Sequence, residues 1–529
     1  MMKNTAFIFL FSVISSLVLL SCDSSQKENK DNMSSKNKAS KQTGKLAYRN
    51  GGVTYEVFVQ SFFDANNDGI GDLQGLTQKL DYIADLGAEA IWLMPVHPSP
   101  SYHKYDVIDY YDIHKDYGTL EDFKHFVEEA HQRNLKVILD LVINHTSDQN
   151  QWFKESIKGK DNPYRDFYIW ADLDTIKEVG ETKEVTGDSD NKYLWNEAPG
   201  NEEKYFGFFW KGMPDLNYDH PTVREEVYKI GKFWLTEINI DGFRLDAAKH
   251  IYPDDRIDDT VEWWIAFRNE MEKAKPDVFL VGEVWDEAKV IAPFLNGLHA
   301  IFNFDLSFTL QEALKNEDAS QLLDKFITSR KLYKETRPDF YDAIFTTNHD
   351  QNRILSELDG NLEKGKLAAS ILLTLPGSPF IYYGEELGML GIKPDEKIRE
   401  PFLWSAKDDT GITKWIEPEY NTASTLNALD IQVADSTSIY NHYKNLIQLR
   451  KNNSILREGE IEVVKPKSKK VLCYYRILGD EKILIVHNLG KKSQKFDNEL
   501  LKGEIIFKTV NKNLSKNTIP AHSSFIISK

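Results

Sequence analysis

Short apolar segments alternate with amphipathic helical patterns from about Val53 to about Asp435, and this alternation constrains the fold more than any other feature of the chain. A strand, a helix and a second strand in succession predict a parallel sheet, because parallel strands need a long crossover connection. Eight such units indicate an α/β fold closed into a (β/α)₈ barrel, the TIM barrel. The eight strand-like segments are "TYEVFVQ", "AEAIWLMPV", "LKVILDLVINH", "INIDGFRLD", "VFLVGEVW", "AIFNFDL", "DAIFTTNHD" and "PFIYYGEE".

Two segments depart from this alternation. Residues 146–214, after the third strand, are rich in Asp, Asn, Gly and aromatic residues, and they are too long for a simple loop. We interpret them as an inserted subdomain, so that the barrel comprises residues 47–145 and 215–434. Five β-type segments follow the helix "IYNHYKNLIQLRKNN", which predicts an all-β C-terminal domain, a β-sandwich, over residues 435–529.

The N-terminus reads as a targeting segment. Lys3 precedes the apolar run "AFIFLFSVISSLVLL", and residues 19–22, "LLSC", resemble the lipobox of bacterial lipoproteins. That resemblance implies a signal peptide over residues 1–22 and a lipid on Cys22. Residues 23–46 are mostly polar and contain no aromatic side chain, which is typical of a flexible tether. An ordinary secretory signal with a chance cysteine is the alternative.

These features indicate where the protein acts and what it contacts. We expect a membrane-anchored lipoprotein of a bacterial cell envelope, on the periplasmic side or at the cell surface, that touches the membrane only through its lipid. The chain has 65 Lys and Arg against 82 Asp and Glu, a net charge of −17. Such an acidic chain has no basic excess to neutralise phosphates, which excludes nucleic acid as a partner. We expect a monomer.

Acidic and polar side chains end several of the predicted strands, where (β/α)₈ barrels place their chemistry. In "DGFRLDAAKH", Arg244 and Asp246 lie on the same face of a strand, so we expect the guanidinium to lower the pKa of Asp246. Glu283 lies within the apolar "LVGEVW", which should raise its pKa. Glycoside cleavage with retention needs one ionised and one protonated carboxyl group, roughly 5–5.5 Å apart. Asp350 could bind sugar hydroxyls or stabilise a cationic transition state; the alternative is an ion-pair network at the barrel rim.

Several motifs in one order strengthen the catalytic interpretation. The segments "DLVINH", "GFRLDAAKH", "GEVW" and "TNHD", with "MPDLN" and "YYGEELGM", resemble the motifs of the α-amylase family, glycoside hydrolase family 13. The resemblance implies that Asp246 is the nucleophile, Glu283 the acid/base and Asp350 the transition-state stabiliser. It implies substrate contacts for Tyr105, Asp106, His145, Arg244, Lys249, His250, His349 and Arg399.

The segment "DANNDGIGD" presents oxygen-bearing side chains at alternate positions. Asp64, Asn66, Asp68 and Asp72, with glycines between them, form a pattern that suits Ca²⁺. It resembles the first part of an EF-hand loop, but the twelfth place is Gly75 rather than Glu. The alternative is a solvated turn.

The family resemblance adds detail to the Ca²⁺ prediction. It implies a calcium loop in which the carbonyl of Ile70 contributes to the coordination. It also implies a possible second calcium site with Asn144 and the carbonyl of His250, whose remaining ligands from the insertion the sequence does not identify.

Two further segments bear on the subfamily. "MPDLN" together with Lys249 and His250 resembles an intermediate pattern seen among α-amylases, and "IREPFLW" departs from the "RTPMQW" of an exo-acting and trehalose-forming branch. We therefore expect a retaining endo-acting α-amylase that cleaves α-1,4-glucosidic bonds of starch or maltooligosaccharides. The alternatives are an exo-α-glucosidase, a neopullulanase-type enzyme or a transglycosylase, and a lipid-anchored glucan-binding protein. The complete set of three carboxylates argues against binding alone.

Replacing Cys22 should release the protein from the membrane if that residue carries the lipid. We expect Cys22→Ala to move the protein from the membrane fraction to the soluble fraction on cell fractionation. Cys473→Ala, which removes the other cysteine of the chain, should leave the distribution unchanged. A Cys22→Ala protein that stays in the membrane fraction would rule out the anchor.

Overall fold

The computed structural model describes residues 50–185, 189, 191–497, 499–509 and 517–529. The predicted signal peptide with Cys22, the tether and residues 47–49 lie outside these ranges. Within them, the strands are β1 (Thr54–Val57), β2 (Ala90–Leu93), β3 (Lys136–Leu141), β4 (Trp170–Ala171), β5 (Trp195–Glu197), β6 (Lys204–Phe206), β7 (Gly242–Leu245), β8 (Phe279–Gly282), β9 (Ala300–Phe302), β10 (Tyr341–Phe345), β11 (Ser378–Tyr382), β12 (Glu460–Val463), β13 (Val471–Leu478), β14 (Glu481–Asn488), β15 (Gln494–Lys495), β16 (Ile505–Lys508), β17 (Thr518–Ile519) and β18 (Ser523–Ser528).

Helices separate the barrel strands and pack around them. In chain order the described α-helices are α1 (Leu73–Gln78), α2 (Leu80–Leu86), α3 (Leu120–Gln132), α4 (Gln151–Ser156), α5 (Leu173–Val179), α6 (Pro221–Thr236), α7 (Ile257–Ala274), α8 (Ala288–Ile291), α9 (Phe304–Asn316), α10 (Leu322–Thr336), α11 (Ile354–Glu357), α12 (Leu362–Thr374), α13 (Asp395–Ile398), α14 (Leu429–Ala434), α15 (Ile439–Asn452) and α16 (Ser454–Glu458). Short 3₁₀ turns occur at Val59–Ser61, Arg165–Phe167, Asp254–Arg256 and Ala292–Asn296.

Eight parallel strands close into a barrel in the order β1-β11-β10-β9-β8-β7-β3-β2. Closure is visible at Tyr55, which lies opposite Ile91 on β2 and Ile381 on β11. Each of the eight predicted strand segments overlaps one of these strands, so the predicted (β/α)₈ barrel is confirmed.

The barrel interior is filled by apolar side chains rather than left as a pore. Trp92, Phe302 and Phe380 meet there, with the ring centroid of Phe302 lying 5.2 Å from Trp92 and 4.9 Å from Phe380. Alanines at positions 90, 300 and 343 make room for these rings. These apolar side chains fill the barrel interior, so a site for polar chemistry can lie only at an end of the barrel.

The insertion between β3 and β7 carries its own small sheet. Strands β4, β6 and β5 pair antiparallel in that order. Phe153 on α4 packs edge-on against Tyr205 of β6, with centroids 4.9 Å apart. The insertion returns to the barrel through a bridge between His145 and Asp215, which fixes its base beside the end of β3.

The C-terminal residues form two antiparallel sheets. One has five strands in the order β12-β13-β14-β18-β16, and β15 pairs with β17 in the other. Val471, Cys473 and Phe525 belong to a small core of their own between these strands. No helix among the described residues is long and apolar enough to cross a membrane.

Candidate active site

Carboxyl groups from four barrel strands, three of them adjacent, meet at the carboxyl end of the barrel. Asp140 lies on β3, Asp246 directly follows β7, and Glu283 directly follows β8. Glu56 lies on β1, and all four side chains are buried. Four acidic groups this close require cations or protons to offset their repulsion.

Arg244 supplies one of those cations from β7, and its guanidinium is 1% exposed. One nitrogen, Nη1, lies 2.8 Å from Oδ1 of Asp140 and 2.6 Å from Oδ1 of Asp246. The other, Nη2, lies 2.5 Å from Oε2 of Glu283. A single guanidinium therefore holds three carboxyl groups from three adjacent strands.

This sharing changes the expected ionisation of Asp246. Burial raises the pKa of Asp246, and Arg244 opposes the effect without outweighing it. The prediction that Arg244 would bring this pKa below its ordinary value is therefore wrong, since the same cation also serves Asp140 and Glu283. Burial likewise raises the pKa of Asp140 to about 7.

The pKa of Glu283 is raised, as its apolar segment predicts. Burial raises its pKa, and the negative charges of Asp246 and Asp350 add to the effect. The indole of Trp285 donates to Oε1 at 3.0 Å, and the backbone N–H of Ala247 donates to Oε2 at 3.3 Å. Ala247 has a φ of 46°, a left-handed conformation that is uncommon for residues other than glycine and is often found at functional sites.

Asp350 has the opposite electrostatic setting. His349 Nε2 lies 3.0 Å from its Oδ2, and Arg399 Nη2 donates to its Oδ1 at 2.9 Å. Burial alone would raise the pKa of Asp350, but these two cationic neighbours outweigh it and lower that pKa well below its ordinary value. Burial likewise opposes a charge on His349, yet the carboxylates of Asp350 and Glu56 raise its pKa to about 10.

Three further predicted residues lie beside this cluster. The ring of Tyr105 stacks on that of His349 at a centroid distance of 5.6 Å and an angle of 9°. His145 Nε2 lies 3.2 Å from the carbonyl oxygen of Tyr105. Asp106 is buried and accepts hydrogen bonds from the hydroxyls of Ser99, at 2.7 Å, and Ser101.

Lys249 and His250 contact residues outside the Arg244 cluster. The ammonium of Lys249 is 3.0 Å from Asp286 Oδ2. The ring of His250 stacks on Phe208 of the insertion at 4.0 Å. Both residues line a large cleft between the insertion and the barrel. The structure thus places Lys249 and His250 in this cleft, whereas Tyr105 and His145 lie beside the Arg244 cluster.

The loop that was predicted to bind Ca²⁺ is folded around its own side chains. Asp64 is buried and accepts hydrogen bonds from the backbone N–H groups of Asn67, at 2.6 Å, and Gly69, at 2.8 Å. Asp68 Oδ1 accepts from the N–H of Ile70 at 2.8 Å, and Asp72 accepts from Ala65 and Gly75.

The donor set of this loop fits a hard cation. Carboxylate and amide oxygens are the ligands that Ca²⁺ prefers, and each oxygen that accepts one N–H keeps a further lone pair. Within the described ranges, however, no three His, Cys, Asp or Glu side chains converge closely enough to hold a metal ion by themselves. Coordination here would therefore also need oxygens from Asn66 and Ile70, as the prediction has it.

The predicted second metal position also has a free acceptor. The Oδ1 atom of Asn144 is buried and has no hydrogen-bond partner among the residues that the structure describes. Its Nδ2 donates to Asp215 Oδ2 at 3.2 Å, and burial raises the pKa of Asp215 to about 8. A buried acceptor beside a buried carboxyl group fits a cation, and Asp215 is a candidate ligand that the sequence alone did not identify.

Sequence reasoning missed two members of the acidic cluster as site residues. Asp140 lies in the segment "DLVINH" and was not singled out, although both of its carboxylate oxygens accept from Arg244 Nη1, at 2.8 and 3.0 Å. Glu56 lies inside "TYEVFVQ", which reads as an ordinary buried strand. The available signal was a charged residue near the carboxyl end of a barrel strand.

Comparisons with family models, related sequences and solved structures all match the chain to α-amylase-type proteins. The model of the α-amylase catalytic domain matches residues 56–459. Alpha-amylase 3 of Dictyoglomus thermophilum is 47% identical over 465 residues, which cover 87% of this chain and 89% of that protein. A 4-alpha-glucanotransferase of Thermotoga neapolitana is 38% identical over 453 residues, which cover 84% and 97% of the two chains. The crystal structure of alpha-amylase from H. orenii superposes with a TM-score of 0.84 at 42% identity and covers 91% of this chain and 100% of that one.

Chelation of Ca²⁺ should destabilise the protein if the Asp64–Asp72 loop binds the ion. A ligand present at a hundred times its Kd stabilises the folded state by about 2.7 kcal/mol. We therefore expect a chelator to lower the Tm of the wild-type protein, and Asp68→Ala to remove most of that response. Asp480→Ala, at an exposed aspartate in the turn between β13 and β14, should respond like the wild type. A full response in Asp68→Ala would place the ion elsewhere.

Proposed function

Because the chain belongs to the α-amylase family, glycoside hydrolase family 13, we propose that it is a retaining, endo-acting hydrolase of α-1,4-glucosidic bonds in starch and maltooligosaccharides. Membership of this family means that the protein is an enzyme that acts on α-glucans by hydrolysis or transfer. The observation that carries the proposal is the bridging of Asp246 and Glu283 by one guanidinium, that of Arg244.

The shared cation makes the two carboxyl groups a catalytic pair. They are buried together, so ionisation of one raises the pKa of the other, and the pair titrates as a unit. We assign the negative charge to Asp246 and the proton to Glu283, since a retaining mechanism needs one of each. The raised pKa of Glu283 favours its protonated form, which a general acid requires.

The reaction proceeds in two steps under this assignment. In the first, Glu283 gives its proton to the glycosidic oxygen, the bond from that oxygen to the anomeric carbon breaks, and an Asp246 oxygen bonds to the anomeric carbon. In the second, Glu283 takes a proton from water, the water oxygen bonds to the anomeric carbon, and the bond to Asp246 breaks. Asp350 stays ionised throughout and stabilises the positive charge of each transition state.

A cleft of about 1210 Å³ has room for a leaving group of several sugars. It begins at Trp285, whose indole donates to Glu283, and it contains Lys249 and His250. Aromatic rings can stack on sugar faces, as they do in many saccharide sites. The Trp, Tyr and Phe side chains that line this cleft are Trp170, Trp195, Phe206, Phe208, Tyr252, Trp285, Phe304 and Phe308.

Glucanosyl transfer is a second candidate activity. The relative from Thermotoga neapolitana is named a 4-alpha-glucanotransferase. The same aromatic cleft could hold an acceptor sugar, whose hydroxyl would replace water in the second step. Hydrolysis and transfer then differ only in which molecule occupies the cleft when the covalent intermediate reacts.

Two supporting features complete the proposal. Ca²⁺ held by the Asp64–Asp72 loop would fix the segment that follows β1, which carries Glu56. A lipid on Cys22 would hold the enzyme at the cell envelope, on the periplasmic side or at the surface. Neither feature takes part in the chemistry itself.

Shortening Phe308 should weaken activity only on substrates that reach the cleft. The Phe308 side chain is 44% exposed, and its ring lies 6.0 Å from that of Trp285. We expect Phe308→Ala to lower kcat/KM on maltoheptaose by about tenfold, the equivalent of roughly 1.4 kcal/mol of lost stacking. Activity on α-maltosyl fluoride should not change, because fluoride leaves without entering the cleft.

The matched control is Leu362→Ala, which shortens a similarly exposed apolar side chain at the start of α12. It should leave both activities unchanged. An equal loss on both substrates in Phe308→Ala would contradict the role of the cleft. Wild-type enzyme that trims amylose one sugar at a time, with no early fall in chain length, would contradict endo action.

A further inference from the structure

Glu56 is a buried acid in the site to which the mechanism above gives no role. It lies on β1, and its side chain is 2% exposed. Its Oε1 lies 2.5 Å from Nδ1 of His349, which follows β10 on the neighbouring side of the barrel. A carboxyl group is rarely buried to this extent unless a partner offsets the cost of desolvation.

The two ring nitrogens of His349 face two different acids. Nδ1 meets Glu56, and Nε2 lies 3.0 Å from Asp350 Oδ2. A histidine between two carboxylates donates from both nitrogens only as the imidazolium. The hydroxyl of Tyr105 lies 2.5 Å from the same Nε2 and donates to Asp140 Oδ2 at 3.2 Å, so its oxygen can accept from His349 as well as from Arg244 Nη1 at 3.5 Å.

We propose that Glu56 is a positioning residue that holds His349 as an imidazolium and thereby keeps Asp350 ionised and aimed at the reacting sugar. Glu56 touches no substrate in this account and acts through His349. The inference rests on the proposed function for the role of Asp350, but the protonation of His349 can be measured without any substrate.

Other charged groups also surround Glu56 and His349. Arg399 Nε donates to the carbonyl oxygen of His349 at 3.0 Å, and Arg244 on β7 acts on Glu56 across the barrel. The positive charge of the imidazolium also acts to lower the pKa of Asp140 and of Asp246. Burial lowers the pKa of His349, and Asp350 and Glu56, the two carboxyl groups in direct contact with the ring, together outweigh it.

The test variant is Glu56→Gln, which keeps the size and one hydrogen-bond acceptor but removes the charge. An opposite charge in direct contact favours the charged form by about 1–3 pKa units. We therefore expect the pKa of His349 to fall by about one unit or more. Because a lower pKa means that the imidazolium is lost at a lower pH, the alkaline limb of kcat should move toward neutral pH, with KM less affected.

The direct measurement is the ¹⁵N NMR titration of the His349 ring in the free protein. Its signals are identified by their loss in His349→Gln. In the wild type they should remain those of an imidazolium through pH 8, consistent with a pKa of about 10. Deprotonation near the ordinary value of about 6.5 in the wild type would overturn the proposal even if no variant folds.

A matched control separates this role from a general effect of losing a buried acid. Glu386, which follows β11, is fully buried and accepts hydrogen bonds from Tyr55, at 2.6 Å, and Tyr82, at 2.5 Å. Glu386→Gln should lower the Tm but leave the His349 titration and the pH profile unchanged. An unchanged His349 titration in Glu56→Gln would overturn the proposal.

A double variant tests whether Glu56 acts through His349. If it does, adding Glu56→Gln to His349→Gln should cost little further kcat, since the two changes remove the same interaction. If the kcat loss of the double variant equals the product of the two single-variant losses, Glu56 acts by another route. If the wild-type protein does not hydrolyse glucan while the NMR result holds, the proposed function fails and the positioning of His349 stands.

Discussion

The contact of one guanidinium with three carboxyl groups is the interaction on which the rest of the site depends. Asp140, Asp246 and Glu283 come from three adjacent strands, and without Arg244 their repulsion in a buried setting would favour neutral acids or a wider barrel mouth. The strand that carries Arg244 also packs closely, because a Cβ on Gly242 would lie 2.1 Å from the carbonyl oxygen of Phe279. Barrel packing and site electrostatics therefore constrain the same strand.

The site divides into two electrostatic regions with different functions. Around Arg244, burial outweighs the cation, and Asp246 and Glu283 both hold protons more readily than free acids do. Around Asp350, His349 and Arg399 outweigh burial, and the acid stays ionised. A proton can thus move on and off the first region while the charge of the second stays fixed. Tyr105 connects the two regions, since its hydroxyl contacts both His349 and Asp140.

Much of the architecture could be predicted from the sequence, because each barrel strand is a short apolar segment between helical patterns. The carboxyl ends of those strands directed attention to Asp246, Glu283 and Asp350. Periodicity could not show how a single cation is shared, so the direction of the Asp246 pKa was predicted wrongly. Glu56 was missed because a charged residue inside an apolar strand gives no sign of a partner nearly three hundred positions away, such as His349. The small sheet of the insertion was not predicted either, since its strands of two or three residues have no clear periodicity.

The anomer that the wild-type enzyme first releases tests the central claim most directly. The account holds that Asp246 attacks the sugar and water then displaces Asp246, and two inversions at the anomeric carbon give net retention. A maltooligosaccharide digest followed by ¹H NMR in its first minutes should therefore show the α-anomer before mutarotation. An initial β-anomer would mean a single displacement by water, and it would contradict the assignment of Asp246 as the nucleophile.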